Sequence, residues 1–255
     1  MTFADRMRAA GAASSLHFLL SCLIAVVASA VVFLVWYPHP YRDISGGREL
    51  FLLIIAVDIV CGPLLTLVLY NPNKPKTELW RDMALIAVIQ LAALAYGMYT
   101  VWQVRPLYLV MEIDRFKVVT RLLLDEAALA QLPSELQPRW WTGPLVVGIR
   151  EPKNAQEREK VLFESLQGGR DFAERPEFYQ PYEGSVAAKS LRKAKPLAIF
   201  LQKHPDQKDA AADLTKASGT NAVLLFYLPV FSRKDWVAVI DSQGMIKGFL
   251  PGDGY

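Results

Sequence analysis

Apolar and polar positions divide the chain into two regimes. Residues 16–37, 50–70 and 83–104 form three nearly unbroken apolar runs of 21 or 22 residues, and Asp58 is the one Asp, Glu, Lys or Arg within them. A hydrocarbon core of about 30 Å takes roughly 20 helical residues at about 1.5 Å each, so each run has the length of a transmembrane helix. Beyond residue 104 the apolar runs shorten and alternate with polar positions, as in a water-soluble domain. The pattern predicts an integral membrane protein: three N-terminal transmembrane α-helices over residues 1–104, then an α+β extracytoplasmic domain over 105–255.

A cleaved signal peptide is the alternative for the first run, because Arg6 and Arg8 make a basic start and Ala28-Ser29-Ala30 resembles a cleavage site. The run continues through Val31 to the Trp36-Tyr37 pair, however, which suits an uncleaved helix ending at a membrane interface.

Within the second region, residues 107–113, 116–120 and 145–149 read as strands, with a helix over 122–131. Helices are expected over 154–167, 185–195 and 206–217. Strands over 221–230, 236–240 and 245–250 complete the pattern, the last two turning at Asp241-Ser242-Gln243-Gly244.

Charge then orients the chain. Arg6, Arg8, Lys74, Lys76 and Arg81 flank one side of the runs, and Arg42 and Arg48 the other; Arg105, Arg115, Lys117 and Arg121 follow the third run on that second side and weaken the asymmetry, but a long domain translocates largely regardless of its charge. The positive-inside rule puts the N-terminus in the cytoplasm and the C-terminal domain outside a bacterial inner membrane, in the periplasm. The whole chain carries a net charge of +3, from 28 Lys and Arg against 25 Asp and Glu, and residues 105–255 hold 21 basic and 19 acidic residues. No basic field points to nucleic acid. Cys22 and Cys61 both lie in apolar runs, leaving no thiol for a disulfide, a nucleophile or a zinc site outside the membrane.

Asp58 is the residue that most needs a partner, because a carboxylate at mid-span costs at least about 2.5 to 3.5 kcal/mol on insertion scales unless it is paired or neutralised. Counting from the ends of the apolar runs, Asp58 lies at a depth of roughly 18 Å and Ser29 and Tyr96 at roughly 20 Å. These two hydroxyls are the expected partners. Gly62 and Pro63 should open the helix locally, since Pro63 cannot donate to the carbonyl of Ile59. The opening would serve either as a notch for a foreign helix or as an ordinary tolerated proline.

Candidate chemistry in the second region is sparse. His204 is its one histidine, no Gly-x-Ser-x-Gly elbow occurs, and no His or Cys pair stands at metal-ligand spacing. No catalytic residue, cofactor or metal is expected. Aromatic residues crowd two loops, Trp140-Trp141 and the segment carrying Phe172, Phe178, Tyr179 and Tyr182. They would either touch a partner or fold back onto the core or the membrane surface.

Three groups of residues together carry a resemblance. Asp58 precedes Gly62-Pro63-Leu64-Leu65-Thr66, with Asn71-Pro72 and Lys74-Pro75-Lys76 beyond. Arg105-Pro106-Leu107 precedes Asp114-Arg115-Phe116, and Gly168-Gly169-Arg170-Asp171 precedes Tyr179-Gln180-Pro181-Tyr182. The chain resembles the TfpX/TfpZ (FimB-like) type IV pilin accessory proteins. The resemblance implies a non-enzymatic inner-membrane helper, a chaperone or assembly modulator that stabilises a type IV pilin subunit or promotes its surface assembly. The implied partners are the pilin subunit, the lipid bilayer and other pilus assembly proteins. Asp58, Gly62, Pro63, Ser29 and Tyr96 are the candidate intramembrane contacts, and Phe172, Phe178, Tyr179 and Tyr182 the candidate partner-binding loop. The rival from another class is a membrane enzyme or transporter using Asp58 as an acid or proton carrier.

Overall fold

The computed structural model describes residues 2–219, 221 and 224–255, which form two compact units. One comprises residues 1–35 and 47–103, the other residues 36–46 and 104–255.

The first unit is helical. Helix α1 (Phe3–Ala30) continues as a π-helical turn over Val31–Trp36. Thr2 caps its start reciprocally with Asp5. Helices α3 (Gly47–Leu69) and α4 (Lys76–Gln103) complete this unit, while α2 (Tyr41–Ile44), a single turn in the loop after the first helix, belongs to the second. Three helices are thus long and apolar enough to cross a membrane: Phe3–Trp36, Gly47–Leu69 and Lys76–Gln103. Helix α3 packs against both α1 and α4. Small residues occupy many of the buried positions (Ala10, Ser21, Ala25, Ala28, Gly62, Gly97), while Leu19, Leu23, Leu53, Val60, Val68, Val88 and Leu91 point outward. This inverts a soluble bundle and suits lipid, where close backbone approach, rather than apolar burial, holds helices together.

The second unit is built on a mixed sheet. Strands β1 (Pro106–Met111), β2 (Phe116–Thr120) and β3 (Leu145–Ile149) come first, then β4 (Tyr179–Pro181), the two-residue β5 (Lys195–Pro196), β6 (Phe226–Phe231), β7 (Trp236–Ile240) and β8 (Ile246–Pro251). Among the described residues their order is β4-β3-β1-β2-β6-β7-β8, with β5 beside one end of β6. The β1–β3 and β2–β6 pairs are parallel and the rest antiparallel. Helices α5 (Glu126–Ala130), α6 (Ala155–Leu166), α7 (Ser185–Lys193), α8 (Leu197–Lys203) and α9 (Lys208–Ser218) lie between the strands in sequence.

Both faces of the sheet are covered, which is why β1 and β6 read as apolar runs instead of alternating. Leu109 and Met111 of β1, Leu228 and Val230 of β6 and Ala238 and Ile240 of β7 meet Val186 and Ala187 of α7 and Tyr41 and Ile44 of α2. On the opposite face, Val110 and Val119 join Leu129, Leu132 and Leu136. Farther along that face, Tyr227, Val237 and Val239 join Phe200 of α8 and Ala211 of α9. Gly148 in β3 lets α7 approach, because a Cβ there would collide with Val186.

Most of the expected elements form, with four informative differences. Helix α1 starts at Phe3, thirteen residues before its apolar run, whereas α4 starts at Lys76, in agreement with the expectation from sequence that residues 77–82 begin that helix ahead of its apolar run. The helix expected over 122–131 is shortened to α5, preceded by a 3-10 turn (Arg121–Leu123), because Asp125 accepts hydrogen bonds from the backbone amides of Ala127 and Ala128 and caps a new start there. Helix α8, which follows Pro196, is an addition to the expected set. The strand expected over 221–230 takes in residues 222 and 223, which lie outside the described residues; its described part is β6.

Arg105 is the largest fully buried side chain, 1% exposed. Its guanidinium donates to the carbonyls of Arg139 (3.0 Å) and Trp140 (3.2 Å), its own carbonyl accepts from the amide of Arg121 (3.1 Å), and Trp36 Nε1–H donates to the carbonyl of Trp140 (3.1 Å). Burial holds its pKa down to about 10, with repulsion from Arg121 adding to the effect and the Tyr37 phenol opposing it. Replacing Arg105 with Ala removes both donors and opens a void. It should lower the stability of this unit by about 2 to 4 kcal/mol, seen as an earlier near-UV transition of the purified full chain. An unchanged transition would show that the carbonyls of 139 and 140 do not depend on it.

Glu157, in the first turn of α6, accepts from both Nη atoms of Arg150 (3.0 and 2.8 Å) and from the amide of Lys153 (2.5 Å), which bring its pKa from 4.5 to about 2. A carboxylate with a depressed folded pKa stabilises above its unfolded value, and that stabilisation is lost as pH falls through the folded one. Hydrogen-exchange protection at the start of α6 should therefore fall between about pH 4.5 and 2, and Glu157→Gln should flatten that dependence.

Candidate functional site

Two places gather polar chemistry, one in each unit. In the helical unit, Gln90 of α4 donates through Nε2 to the carbonyl of Asp58 at 3.0 Å and to its carboxylate Oδ1 at 3.4 Å. Between α1 and α3, Ser14 Oγ donates to the carbonyl of Pro63 at 2.8 Å, and His17 Nδ1 lies 2.6 Å from Thr66 Oγ1. Proline withdraws one amide from the ladder of α3, and side chains of both neighbouring helices supply polar contacts around the same stretch.

This changes the partners expected for Asp58. Tyr96 is 73% exposed on the outer surface of α4 and Ser29 is half-buried, and the hydrogen bonds of Asp58 go to Gln90 instead. The depth count places Tyr96 level with Asp58 by starting at Met83. The helix begins at Lys76, about 10 Å earlier along its axis, and the short connector 70–75 sets the register. Gly62 and Pro63 are buried, and the space beside Gly62 is taken by the amide of Gln90. The notch expected to admit a foreign helix is filled on that side by α4 of the same chain. Sequence reasoning misses Gln90, Ser14 and His17 because each is uncharged within or beside an apolar run; the signal that could find them is a polar residue at a depth where a lone polar group is costly.

In the sheet unit, a cleft of about 600 Å³ opens at the carboxyl ends of the parallel strands β1 and β3. Such ends are where open α/β sheets place ligands. Met111, Ile149, Leu162, Phe172 and Val186 supply its apolar wall. Charged groups surround it, several already paired: Arg115 with Glu112 (3.2 Å), Lys189 with Glu151 (2.6 Å) and Arg150 with Glu157. Arg158, Arg192 and Lys193 also line it, as do Asp114 and Asp171.

For the loop carrying Phe172, Phe178, Tyr179 and Tyr182 the sequence leaves partner contact and folding back onto the core both open, and the structure shows the second for three of the four. Phe178, Tyr179 and Tyr182 are buried. Tyr179 OH donates to the carbonyl of Ala173 (2.5 Å), and Tyr182 OH donates to the carbonyl of Gly244 (2.6 Å) and lies 2.6 Å from Ser190 Oγ. Local composition could not show that Tyr179 and Pro181 enter the sheet as β4, which turns their neighbours inward. Phe172 alone is half-exposed, at the cleft, stacked edge-on against Phe178 at 5.1 Å. His204 packs on Phe200, with ring centroids 4.5 Å apart, and its Nε2 lies 3.1 Å from the carbonyl of Asp253. Among the described residues no group of three or more His, Cys, Asp or Glu could hold a metal ion.

The packing of Gln90 on Gly62 is testable. Gly62→Val forces the amide of Gln90 away from Asp58 and should destabilise the helical unit by about 1 to 3 kcal/mol. Gly11→Val, where nothing lies within 4 Å of the added Cβ, should leave the midpoint of thermal unfolding in detergent unchanged. Equal effects would show that no close contact exists at Gly62.

Comparisons with known proteins converge. The family model for the fimbrial assembly protein FimB matches residues 5–46. A fimbrial assembly protein of serogroup I from Dichelobacter nodosus is 37% identical over 235 residues, covering 90% of each chain, and that of serogroup E1 is 37% identical over 236 residues with the same coverage. The protein of serogroups C1 and C2 is 45% identical over 115 residues, 44% of this chain and 88% of its own. No solved structure matches the chain. With two such relatives spanning nine-tenths of its length, the chain belongs to the FimB family of fimbrial assembly proteins.

Proposed function

We propose that this protein acts in fimbrial assembly as an inner-membrane accessory of a type IV pilin, a chaperone or assembly modulator that stabilises the subunit or promotes its delivery to the surface. The observation that carries this reading is the make-up of the sheet unit. The loop between the first two apolar helices contributes Tyr37, Tyr41 and Ile44 to the core of that unit. With three helices crossing, connectivity supports a sheet on the side of the membrane where the first two helices join. Arg6, Arg8, Lys74, Lys76 and Arg81 against Arg42 and Arg48 support the periplasm as that side; Arg105, Arg115, Lys117 and Arg121 after the third helix count against it but weigh less, because a long domain translocates largely regardless of its charge.

A pilin before assembly has a matching pair of parts, one long apolar helix in the inner membrane and a globular head outside it. The outward Leu and Val surface of the three helices offers a lateral contact for such a helix. The cleft, lined by Arg158, Arg192 and Lys193 together with Glu112, Asp114, Glu151 and Asp171, offers a contact for a segment of the head carrying charges of both signs, in place of the aromatic loop. Binding the subunit but not its unfolded form would protect it by mass action. Asp58, Gly62 and Pro63 act in this reading as the polar seam between α3 and α4, without titrating in a catalytic cycle.

The test measures pilin in whole cells and in the sheared surface fraction, with and without the gene, at constant pilin transcript. The chaperone reading expects total pilin to fall several-fold, and the delivery reading expects normal total pilin with a depleted surface fraction. No change in either would exclude both. In the same assay Asp58→Asn should retain function, since the amide that replaces the carboxylate keeps an oxygen acceptor for Gln90; loss of function at normal protein level would favour the acid or proton-carrier reading.

A further inference from the structure

Two exposed loops of the sheet unit are bonded to residues at the ends of the apolar helices. Trp36 is the last residue of the first such helix, and Arg105 stands two residues beyond Gln103, where α4 ends. Both donate to the same acceptor, the carbonyl of Trp140. Trp36 ends the first apolar helix and belongs to the same unit as Trp140, so the Trp140 carbonyl stands within one side chain's reach of that helix end. The carbonyl of Arg105 meanwhile accepts from the amide of Arg121, which ties the turn over Arg121–Leu123 to the same residue.

What these loops display is apolar and aromatic. Trp140 is 60% exposed and Trp141 52%, and Leu122 is 69% exposed. The two indoles stack edge-on at 5.4 Å, and the Arg139 guanidinium lies 5.5 Å from the Trp141 ring centroid. The turn is rigid: Thr142 returns both its amide and its hydroxyl to the carbonyl of Arg139, and its Oγ1 accepts from the amide of Arg139 (2.9 Å). Two tryptophans held outward side by side in a hydrogen-bonded turn mark an interaction surface.

We propose that Trp140, Trp141 and Leu122, with Arg139, form a lipid-binding patch that lodges in the headgroup layer of the leaflet from which the first and third helices emerge. Indole rings favour that layer because their apolar body and N–H donor match its gradient from hydrocarbon to water, and an arginine beside them meets lipid phosphate. The inference rests on the membrane-spanning reading of the three helices.

The test uses the full chain with Cys22 replaced by Ala, reconstituted into vesicles of phosphatidylethanolamine and phosphatidylglycerol. An environment-sensitive fluorophore is attached at position 141 in a Trp141→Cys, Cys61→Ala variant, at position 122 in a Leu122→Cys, Cys61→Ala variant, and at the native Cys61 in a third sample. Cys61 is exposed on α3 and reports insertion itself. The expected result is several-fold quenching of the labels at 141 and 122 by nitroxide on the lipid headgroup or shallow acyl chain, with iodide excluded. Cys61 should be quenched by deep-chain nitroxide. If Cys61 responds while the labels at 141 and 122 are quenched by iodide, or by neither agent, the patch is refuted and the membrane reading stands. If Cys61 does not respond, both fall.

Discussion

The buried guanidinium of Arg105 is the constraint from which much of the sheet unit follows. It enters the fold directly after the third apolar helix and before β1, at a point where the backbone must change from helix to strand. Its two donors fix the carbonyls of residues 139 and 140, and its own carbonyl fixes the turn after β2. A lysine could not do this, because one ammonium on a flexible stem does not present a planar fork to two adjacent carbonyls. Burial of the cation is offset by these bonds and by the phenol of Tyr37, which itself belongs to the loop between the first two helices. Three distant parts of the chain thus converge on one side chain.

The two units obey different physics. In the helices, where lipid would replace water, large apolar side chains face outward and small ones inward, and polar groups such as Gln90 and Ser14 find partners on an adjacent helix. In the sheet unit, apolar residues fill both faces of the strands and charged residues of both signs line a cleft. Membership of a fimbrial assembly family agrees with a chain that carries both kinds of surface.

Much of this was legible beforehand. The three apolar runs, the strands at 116–120, 145–149 and 236–240 and the turn at Asp241 to Gly244 form as expected, because each rests on local pattern or turn chemistry. The side of the sheet on which a residue falls was not legible. Tyr182 looks like a loop aromatic and is a buried tie between Ser190 and Gly244, and that depends on β4 joining β3, where Tyr179 pairs with Ile149 far back in the sequence. The partner of Asp58 was also hidden, because the register of α4 is set by where its first turn begins and not by where its apolar run begins. The domain role of residues 36–46 had no local signature: Tyr41 and Ile44 acquire their meaning only from strands far downstream in the chain.

That last feature bears on how the protein is made. The loop over 36–46 leaves the ribosome before the second and third helices, yet the sheet it completes is translated after them. Its apolar side chains must wait while two further segments enter the bilayer, and the core closes only if both of them cross. A chain in which one of the two failed to cross would leave the loop and the sheet on opposite sides, with Tyr37, Tyr41 and Ile44 unsheltered and the sheet lacking part of one face. Crossing by both later helices is therefore a condition of a finished core, whichever way the whole chain is oriented.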